Sequence, residues 1–292
     1  MSLAPATLSP FVAADGQALM LHDWPAPPGA PRAQVLLVHG LGEHAGRYAQ
    51  LACELHEWGF AVRAYDQRGH GLSDGPRGGL THDTVLLDDL AAVIDATRSM
   101  QLRLGQQGLP LILIGHSLGG LVASRFVSLQ LRPVEALVMS SPALDPGLSA
   151  LQKFLVATLP TIAPNLRVNN GLDPRFLSHD PAVVAAYRAD PLVHPKISAR
   201  LARFIAMAGP ATVAAAAHWC VPTLLLYAGA DRLVNPAGSR AFAAVAGASP
   251  QVPPGILSAQ AFELLYHEIF NEAPNAAAPV LAALKTWLDA RF

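Results

Sequence analysis

The chain has 292 residues, of which 52% are hydrophobic and 14% are charged, so it is long and apolar enough to bury a sizeable core. Its formal charge is −1 at pH 7 and no lysine or arginine run occurs, which excludes the electrostatic footprint of a nucleic-acid-binding protein. Cys53 and Cys220 lack the number and spacing of a disulfide framework or a zinc site, and no metal or organic cofactor is expected.

Short runs rich in Val, Leu and Ile recur along the chain and alternate with helix-like segments. Because these runs are apolar almost throughout, they favour strands that are covered on both faces, as in a parallel sheet. In chain order, the predicted strands are 34–40, 60–66, 109–115, 135–141, 222–229 and 256–262.

The segments between these strands have helical patterns. Within 81–100, the residues of one helix face recur at helical spacing. These residues are Leu86, Leu90, Val93 and Thr97. Further helices are predicted at 118–129 and 276–288. The alternation of strand and helix predicts an α/β fold, in which helices flank a mostly parallel sheet.

One region interrupts this alternation. From 142 to 219 there is no convincing strand, and leucine- and alanine-rich helical pieces are divided by prolines such as Pro160. We interpret 142–219 as a helical insertion, and 1–141 with 220–292 as the α/β core.

No apolar run approaches the roughly 20 residues that span a bilayer, because the alanine-rich segment 206–219 is interrupted by Gly209 and Pro210. The segment 1–17 lacks the basic and apolar regions of a secretory signal. We therefore expect a cytoplasmic protein.

The segment Gly115-His116-Ser117-Leu118-Gly119 fits the motif G-x-S-x-G between a predicted strand and a predicted helix. At such a sharp turn the serine backbone is strained, and side chains in place of the glycines would collide with the strand and the helix. The turn exposes the Ser117 hydroxyl and places it at a helix N-terminus, which favours developing negative charge. The motif predicts a nucleophilic serine.

A nucleophilic serine needs a general base, and the base needs an orienting acid. Asp231 follows the strand 222–229 directly, at the edge where open α/β sheets build their sites. His267 follows the last predicted strand, so the chain order is Ser, Asp, His, as in α/β-hydrolases. Asp145 also follows a predicted strand and stays an alternative acid, although it opens the insertion.

An acyl-enzyme mechanism also needs two hydrogen-bond donors for the oxyanion. The N–H of Leu118, the residue after the serine, is one of them. We assign the second to the N–H of Leu41, in the loop HGLGEHAGRY that follows the first predicted strand.

Other distinctive segments are YDQRGHGLSDGPRGG (65–79), YRADPLVHP (187–195), GADRLVNP and YHEIFNE. With HGLGEHAGRY and GHSLGG, they make nearly the whole chain resemble the monoacylglycerol lipase and lysophospholipase branch of the α/β-hydrolases. GHSLGG is shared by many hydrolases, whereas HGxGEHxGRY combined with DxRGHGxS is much narrower. The resemblance implies a helical cap after the sixth strand, a triad of Ser117, Asp231 and His267, and oxyanion donors at Leu41 and Leu118.

By the same resemblance, Glu43 and Arg47 match positions near the polar head-group end of the family's pocket. The alternative is that they brace their loop through a salt bridge. One departure concerns the segment before His267, where the family commonly has a glycine and this chain has Leu264 and Leu265. This leaves the conformation of the histidine loop open.

Apolar residues at helical spacing in the insertion are candidates to line a tunnel for an acyl chain. Alternatively, they pack the cap onto the core, and an exposed apolar face of the cap would make transient contact with lipid surfaces. The residues are Leu148, Leu151, Phe154, Leu155, Leu159 and Ile162. The expected function is hydrolysis of a small-molecule acyl ester, with a monoacylglycerol or lysophospholipid-like substrate first and a short-chain carboxylester as the alternative.

Two competing hypotheses remain. Gly40 to Ala45 also fits G-x-G-x-x-G/A, with Asp66 about 20 residues on, as in a dinucleotide-binding site. Glu43 would repel a pyrophosphate there, and that hypothesis leaves the serine, aspartate and histidine unexplained. A non-catalytic binding protein is the second alternative, but such proteins usually lose a triad member and none is missing here.

Overall fold

The structure is a computed structural model that describes residues 3–147 and 150–292, except for the side chains of 150–155. The strands are β1 (Thr7–Val12), β2 (Ala18–Asp23), β3 (Gln34–Val38), β4 (Ala61–Tyr65), β5 (Leu111–His116), β6 (Ala136–Ser140), β7 (Arg167–Asn169), β8 (Lys196–Ser198), β9 (Thr223–Ala228) and β10 (Leu257–Phe262). The helices are α1 (Ala49–Glu57), α2 (Val85–Arg103), α3 (Leu118–Ser128), α4 (Ala150–Ile162), α5 (Pro181–Ala189), α6 (Ala199–Ala215), α7 (Ala237–Ala248) and α8 (Pro274–Asp289).

Within the described residues, the main sheet has eight strands in the order β1-β2-β4-β3-β5-β6-β9-β10. In this sheet, each neighbouring pair in the series β4-β3-β5-β6-β9-β10 is parallel. The pairs β1–β2 and β2–β4 are antiparallel. Parallel strands all end at one edge of the sheet, so the loops after β3, β5, β9 and β10 meet there. The predicted α/β-hydrolase architecture, a mostly parallel sheet flanked by helices, is confirmed.

The central strands β3, β5, β6 and β9 are buried at every residue because helices cover both faces of the sheet. Alternate side chains of β3 belong to opposite layers: Leu36 and Val38 pack with α2 and α3, and Val35 and Leu37 pack with α1 and α8. This two-sided burial explains why these strands read as continuous apolar runs.

The hairpin of β1 and β2 has no counterpart among the predicted strands. It lies at the edge of the sheet, where β1 is largely exposed and carries Pro10. Each of these strands has six residues and is not buried on both faces, so its sequence lacks the continuous apolar run by which the other strands were predicted. Helix α2 begins at Val85 rather than at 81, and the predicted face is buried at Leu86, Leu90, Val93 and Thr97.

The segment between β6 and β9 contains α4, α5 and α6, but it also contains the antiparallel pair β7–β8, which the sequence analysis missed. Each strand has three residues, too few to show a period. The prolines were also misleading, since Pro160 and Pro210 lie inside α4 and α6. Phe204 and Ile205 of α6 belong to the same apolar cluster as α3, and this packing supports the helix across Pro210.

Among the helices of the described ranges, none combines the length and the apolarity that crossing a bilayer requires.

Helix α3 lies so close to β3 that a Cβ atom on Gly119 would overlap the carbonyl oxygen of Val38. We expect Gly119→Ala to lower the free energy of unfolding by about 3 kcal/mol or more, because backbone must move to admit the methyl group. Urea or thermal unfolding measures the change. Gly247 is the matched control: it lies in α7 with open space around it, and Gly247→Ala should raise stability by about 0.5–1 kcal/mol. Equal stability of both variants would contradict the steric argument.

Candidate active site

Ser117 occupies the turn between β5 and α3 with φ +52° and ψ −117°, a left-handed conformation that is strained for a residue with a side chain. Its N–H donates to the Ser140 carbonyl, and its own carbonyl accepts from the N–H groups of Leu121 and Ala143. These bonds hold the strained turn. A Cβ on Gly115 would overlap the Gly119 backbone, which is why glycines bracket the serine.

His267 is held by Asp231. The distance between His267 Nδ1 and Asp231 Oδ2 is 2.6 Å, and both side chains are buried. Asp231 Oδ1 also accepts the backbone N–H groups of Leu233 and Val234, which fix the carboxylate. Because Nδ1 is occupied, Nε2 is the imidazole nitrogen left for a substrate or a nucleophile.

Asp145, the alternative acid, is used elsewhere. Its carboxylate accepts from the Asn235 side chain at 2.7 Å and from the Gly147 N–H at 2.9 Å. It therefore supports the loop after β9 and has no bond to His267. The geometry favours Asp231 as the orienting acid.

The His267–Asp231 pair stabilises the charged forms of both residues. Burial lowers the pKa of His267, but the charge and hydrogen bond of Asp231, helped by Glu268 and Glu43, outweigh it and raise that pKa above its ordinary value. Burial raises the pKa of Asp231, but His267 and the backbone donors bring it below its usual value. An imidazolium formed at His267 during reaction would be stabilised by this environment.

A second histidine, for which the sequence predicted no role, packs against the first. The ring of His116 lies 4.7 Å from the His267 ring, and its Nδ1 is 3.1 Å from Ser140 Oγ. Burial, together with repulsion from a charged His267, lowers the pKa of His116 to about 4. His116 is therefore neutral near pH 7 and adds no charge beside His267.

Ser117 and His267 line one cavity of about 290 Å³. Leu41 and Leu118 line it as well, and neither backbone N–H donates a hydrogen bond within the part of the chain that the structure describes. Both donors are thus available for an oxyanion beside the serine. Most other wall residues are aliphatic, including Val156, Leu172, Ile197, Ile205 and Val234.

Glu43 and Arg47 are not among the residues that line the cavity. Glu43 accepts from the Gly40 N–H at 2.6 Å, from the Tyr48 hydroxyl at 2.7 Å and from Arg47 at 2.5 Å. Arg47 also donates two bonds to Glu268, at 2.6 and 2.7 Å. Burial raises the pKa of Glu43, but Arg47 and its other neighbours outweigh burial and lower that pKa to about 2. The pair joins the loop after β3 to the histidine loop, as a bracing role requires.

The histidine loop folds without a glycine. Leu264 is exposed, and Leu265 closes an ordinary turn by donating its N–H to the Phe262 carbonyl. The insertion supports the next residues, since the Phe176 carbonyl accepts from the His267 N–H and the Leu177 carbonyl accepts from the Glu268 N–H at 2.8 Å. These contacts link the cap to the histidine through the backbone.

Most of the residues predicted to contact the acyl chain lie outside the described residues or side chains. Leu148 lies outside the described residues, as do the side chains of Leu151, Phe154 and Leu155. Further along α4, Val156 lines the cavity, whereas Ile162 is 84% exposed.

The dinucleotide hypothesis is wrong. A Cβ on Gly42 would lie 2.5 Å from the His194 carbonyl oxygen, so the insertion covers the loop where a pyrophosphate would have to sit. Asp66 does not point into a cleft either: it accepts the N–H groups of Ala45 and Leu72 and is fully buried.

Residues 29–274 match the family described as serine aminopeptidase, S33. The chain belongs to this family of α/β-hydrolases. It is 33% identical over 281 residues to the monoacylglycerol lipase of Mycolicibacterium smegmatis, which is 95% of each chain. It is 30% identical over 285 residues to human monoglyceride lipase, which is 96% of this chain and 90% of the relative.

The crystal structure of a monoacylglycerol lipase from Paleococcus ferrophilus superposes with a TM-score of 0.77 at 34% identity, covering 90% of this chain and 96% of that chain. The predicted family and enzyme class, a hydrolase of carboxylic esters, are thereby confirmed.

We expect Asp231→Asn to lower kcat by roughly four orders of magnitude, because the asparagine side chain no longer selects the Nδ1–H form of His267. The acid limb of the kcat/KM profile should also move to lower pH, since the carboxylate that raises the His267 pKa is gone. Initial rates between pH 4 and 9 measure both effects on a common ester. Asp145→Asn is the control and should keep near-normal turnover; the reverse pattern would make Asp145 the acid.

Glu43→Gln separates loop bracing from head-group contact. Losing the charge opposite Arg47 should lower the free energy of unfolding by about 1–3 kcal/mol. If Glu43 only braces the loop, kcat/KM should fall by the same factor for a glycerol ester and for a methyl ester of the same acid. A loss confined to the glycerol ester would instead show direct contact with the head group.

Proposed function

We propose that this chain hydrolyses monoacylglycerols through an acyl-enzyme on Ser117, with His267 as general base and Asp231 as its orienting acid. The observation that carries the proposal is the 2.6 Å bond between His267 and Asp231 in a mostly aliphatic cavity that Ser117 also lines. The names of the relatives, monoacylglycerol and monoglyceride lipases, support the substrate class. An intact triad argues against a binding protein without turnover.

In the proposed reaction, Ser117 Oγ attacks the ester carbonyl while His267 Nε2 takes its proton. The N–H groups of Leu41 and Leu118 donate hydrogen bonds to the carbonyl oxygen and stabilise the negative charge that develops there. His267 then returns the proton to the leaving alcohol. A water molecule, deprotonated by His267, attacks the acyl-enzyme and releases the fatty acid.

The cavity supports a single-chain acyl ester as the small-molecule substrate. Its aliphatic wall suits an acyl chain, because burying methylene groups is favourable at roughly 0.8 kcal/mol each. Ser117 and His267 line the same cavity, so an ester bound there would have the two reacting side chains beside it. One chain fits such a site better than a bulky neutral lipid of several chains.

The proposal extends to location. We propose a cytoplasmic protein whose cap makes transient contact with lipid surfaces. The support is the exposure of Ile162, Leu166 and Val168, at the end of α4 and just beyond it. Apolar side chains exposed together on a cap are typical of surfaces that meet lipid.

Hydrolysis rates of 1-monoacylglycerols with short to long chains test the proposed function. Wild type should show saturable turnover with an optimum in chain length, and Ser117→Ala should lose it, because the nucleophile is removed without changing the fold. Circular dichroism of the variant checks folding.

Cleavage of short synthetic esters alone would leave the triad in place and make the chain a short-chain carboxylesterase. Turnover that survives in Ser117→Ala would refute the acyl-enzyme mechanism.

A further inference from the structure

Arg232 lies on the wall of the catalytic cavity and has no counter-ion among the described residues. Within the residues that the structure describes, it forms no ion pair and donates no hydrogen bond. Its guanidinium carbon lies 4.9 Å from the centroid of the Phe176 ring. This cation–π contact holds the side chain beside the residue whose carbonyl supports His267.

The carboxylates around Arg232 are engaged elsewhere. Asp231 binds His267 and two backbone N–H groups, and Asp145 binds Asn235. Asp173 pairs with Arg175 at 2.6 Å. Among the described lining residues, Arg232 is therefore the one with a permanent charge, and it forms no ion pair with a described carboxylate.

A second side chain on the cavity wall offers unused donors. Asn170 lines the cavity, and its Oδ1 already accepts the Leu172 N–H at 3.0 Å. Its amide NH₂ group donates no hydrogen bond within the described chain, so two N–H donors remain. Together, Arg232 and Asn170 present several N–H donors that have no acceptor among the described residues. Phosphate and carboxylate oxygens only accept, and guanidinium binds them in a planar, bidentate manner.

We propose that Arg232, together with Asn170, makes this cavity prefer single-chain esters whose head group carries a negative charge over neutral esters of the same chain. The proposal rests on the proposed function, because it concerns the head group of the same acyl substrate. An acylglycerol phosphate is the simplest ester of this class, since its acyl bond is identical to that of a monoacylglycerol.

The test compares kcat/KM for a 1-acylglycerol 3-phosphate and the matching 1-monoacylglycerol, with a chain short enough for both to stay monomeric. The variants are Arg232→Gln, Arg232→Lys and Arg175→Gln. Arg175 is the matched control, because it lies 5.8 Å from the same Phe176 ring but does not line the cavity.

In Arg232→Gln, the ratio of phosphate to neutral kcat/KM should fall roughly tenfold, chiefly through a higher KM for the phosphate ester. Arg232→Lys should recover most of the ratio, since it keeps the charge. Arg175→Gln should leave the ratio within about twofold of wild type, because an exposed pair contributes little. Added salt should lower the wild-type ratio.

An equal ratio in wild type and Arg232→Gln, with Ser117-dependent cleavage of the neutral ester, would overturn the inference and leave the proposed function standing. An equal fall in Arg175→Gln would also overturn it, since a diffuse surface charge would then explain the preference. A third outcome is that inorganic phosphate inhibits hydrolysis of the neutral ester, and that Arg232→Gln removes this inhibition without changing the ratio of phosphate to neutral kcat/KM. The site would then bind free phosphate rather than a head group, and the inference would be overturned. Failure to cleave either glycerol ester would refute the proposed function itself.

Discussion

The close approach of helix α3 to strand β3 is the constraint on which the site depends. With hydrogen as its side chain, Gly119 lets the helix begin directly against the Val38 carbonyl, and the chain has to turn sharply at Ser117 to reach it. The strain stored in that turn is held by backbone bonds from β6 and from the segment after it. A serine in such a turn has its hydroxyl raised above the strand ends and its neighbour's N–H at the start of a helix.

Three other loops at this edge of the sheet are tied to one another by buried charges. Glu43 and Arg47 link the loop after β3 to Glu268, the residue after His267, and Asp231 links the loop after β9 to His267 itself. Burial penalises each of these charges, and close pairing offsets the penalty. Because the partners sit on different loops, moving one loop would leave a buried charge unpaired. The loops are therefore held together as one unit.

The cap belongs to the same unit. Its Phe176 and Leu177 carbonyls support the histidine loop, and Glu272 accepts from Ser178, from His179 and from the Tyr266 N–H on the other side. Helix α6 meanwhile joins the core cluster beside α3. Because the insertion is attached both to the histidine loop and to the core beside α3, it can shape the cavity without forming a separate domain. This coupling joins the insertion to the histidine loop as well as to the core.

The amino-acid sequence by itself determined the parallel sheet, the nucleophile turn and the identity of the serine, aspartate and histidine candidates. It could do so because buried strands and a strained glycine-flanked turn depend on local residue types. It did not reveal the hairpin of β1 and β2, the pair β7–β8 or the helices that continue through proline, since these depend on packing partners distant in the chain. The neutral state of His116, the link from the Glu43–Arg47 pair to Glu268 and the lack of an ion-pair partner for Arg232 among the described residues were decided by the tertiary structure alone. Each depends on which side chains from different loops contact one another, and the spacing of residues along the chain does not predict those contacts.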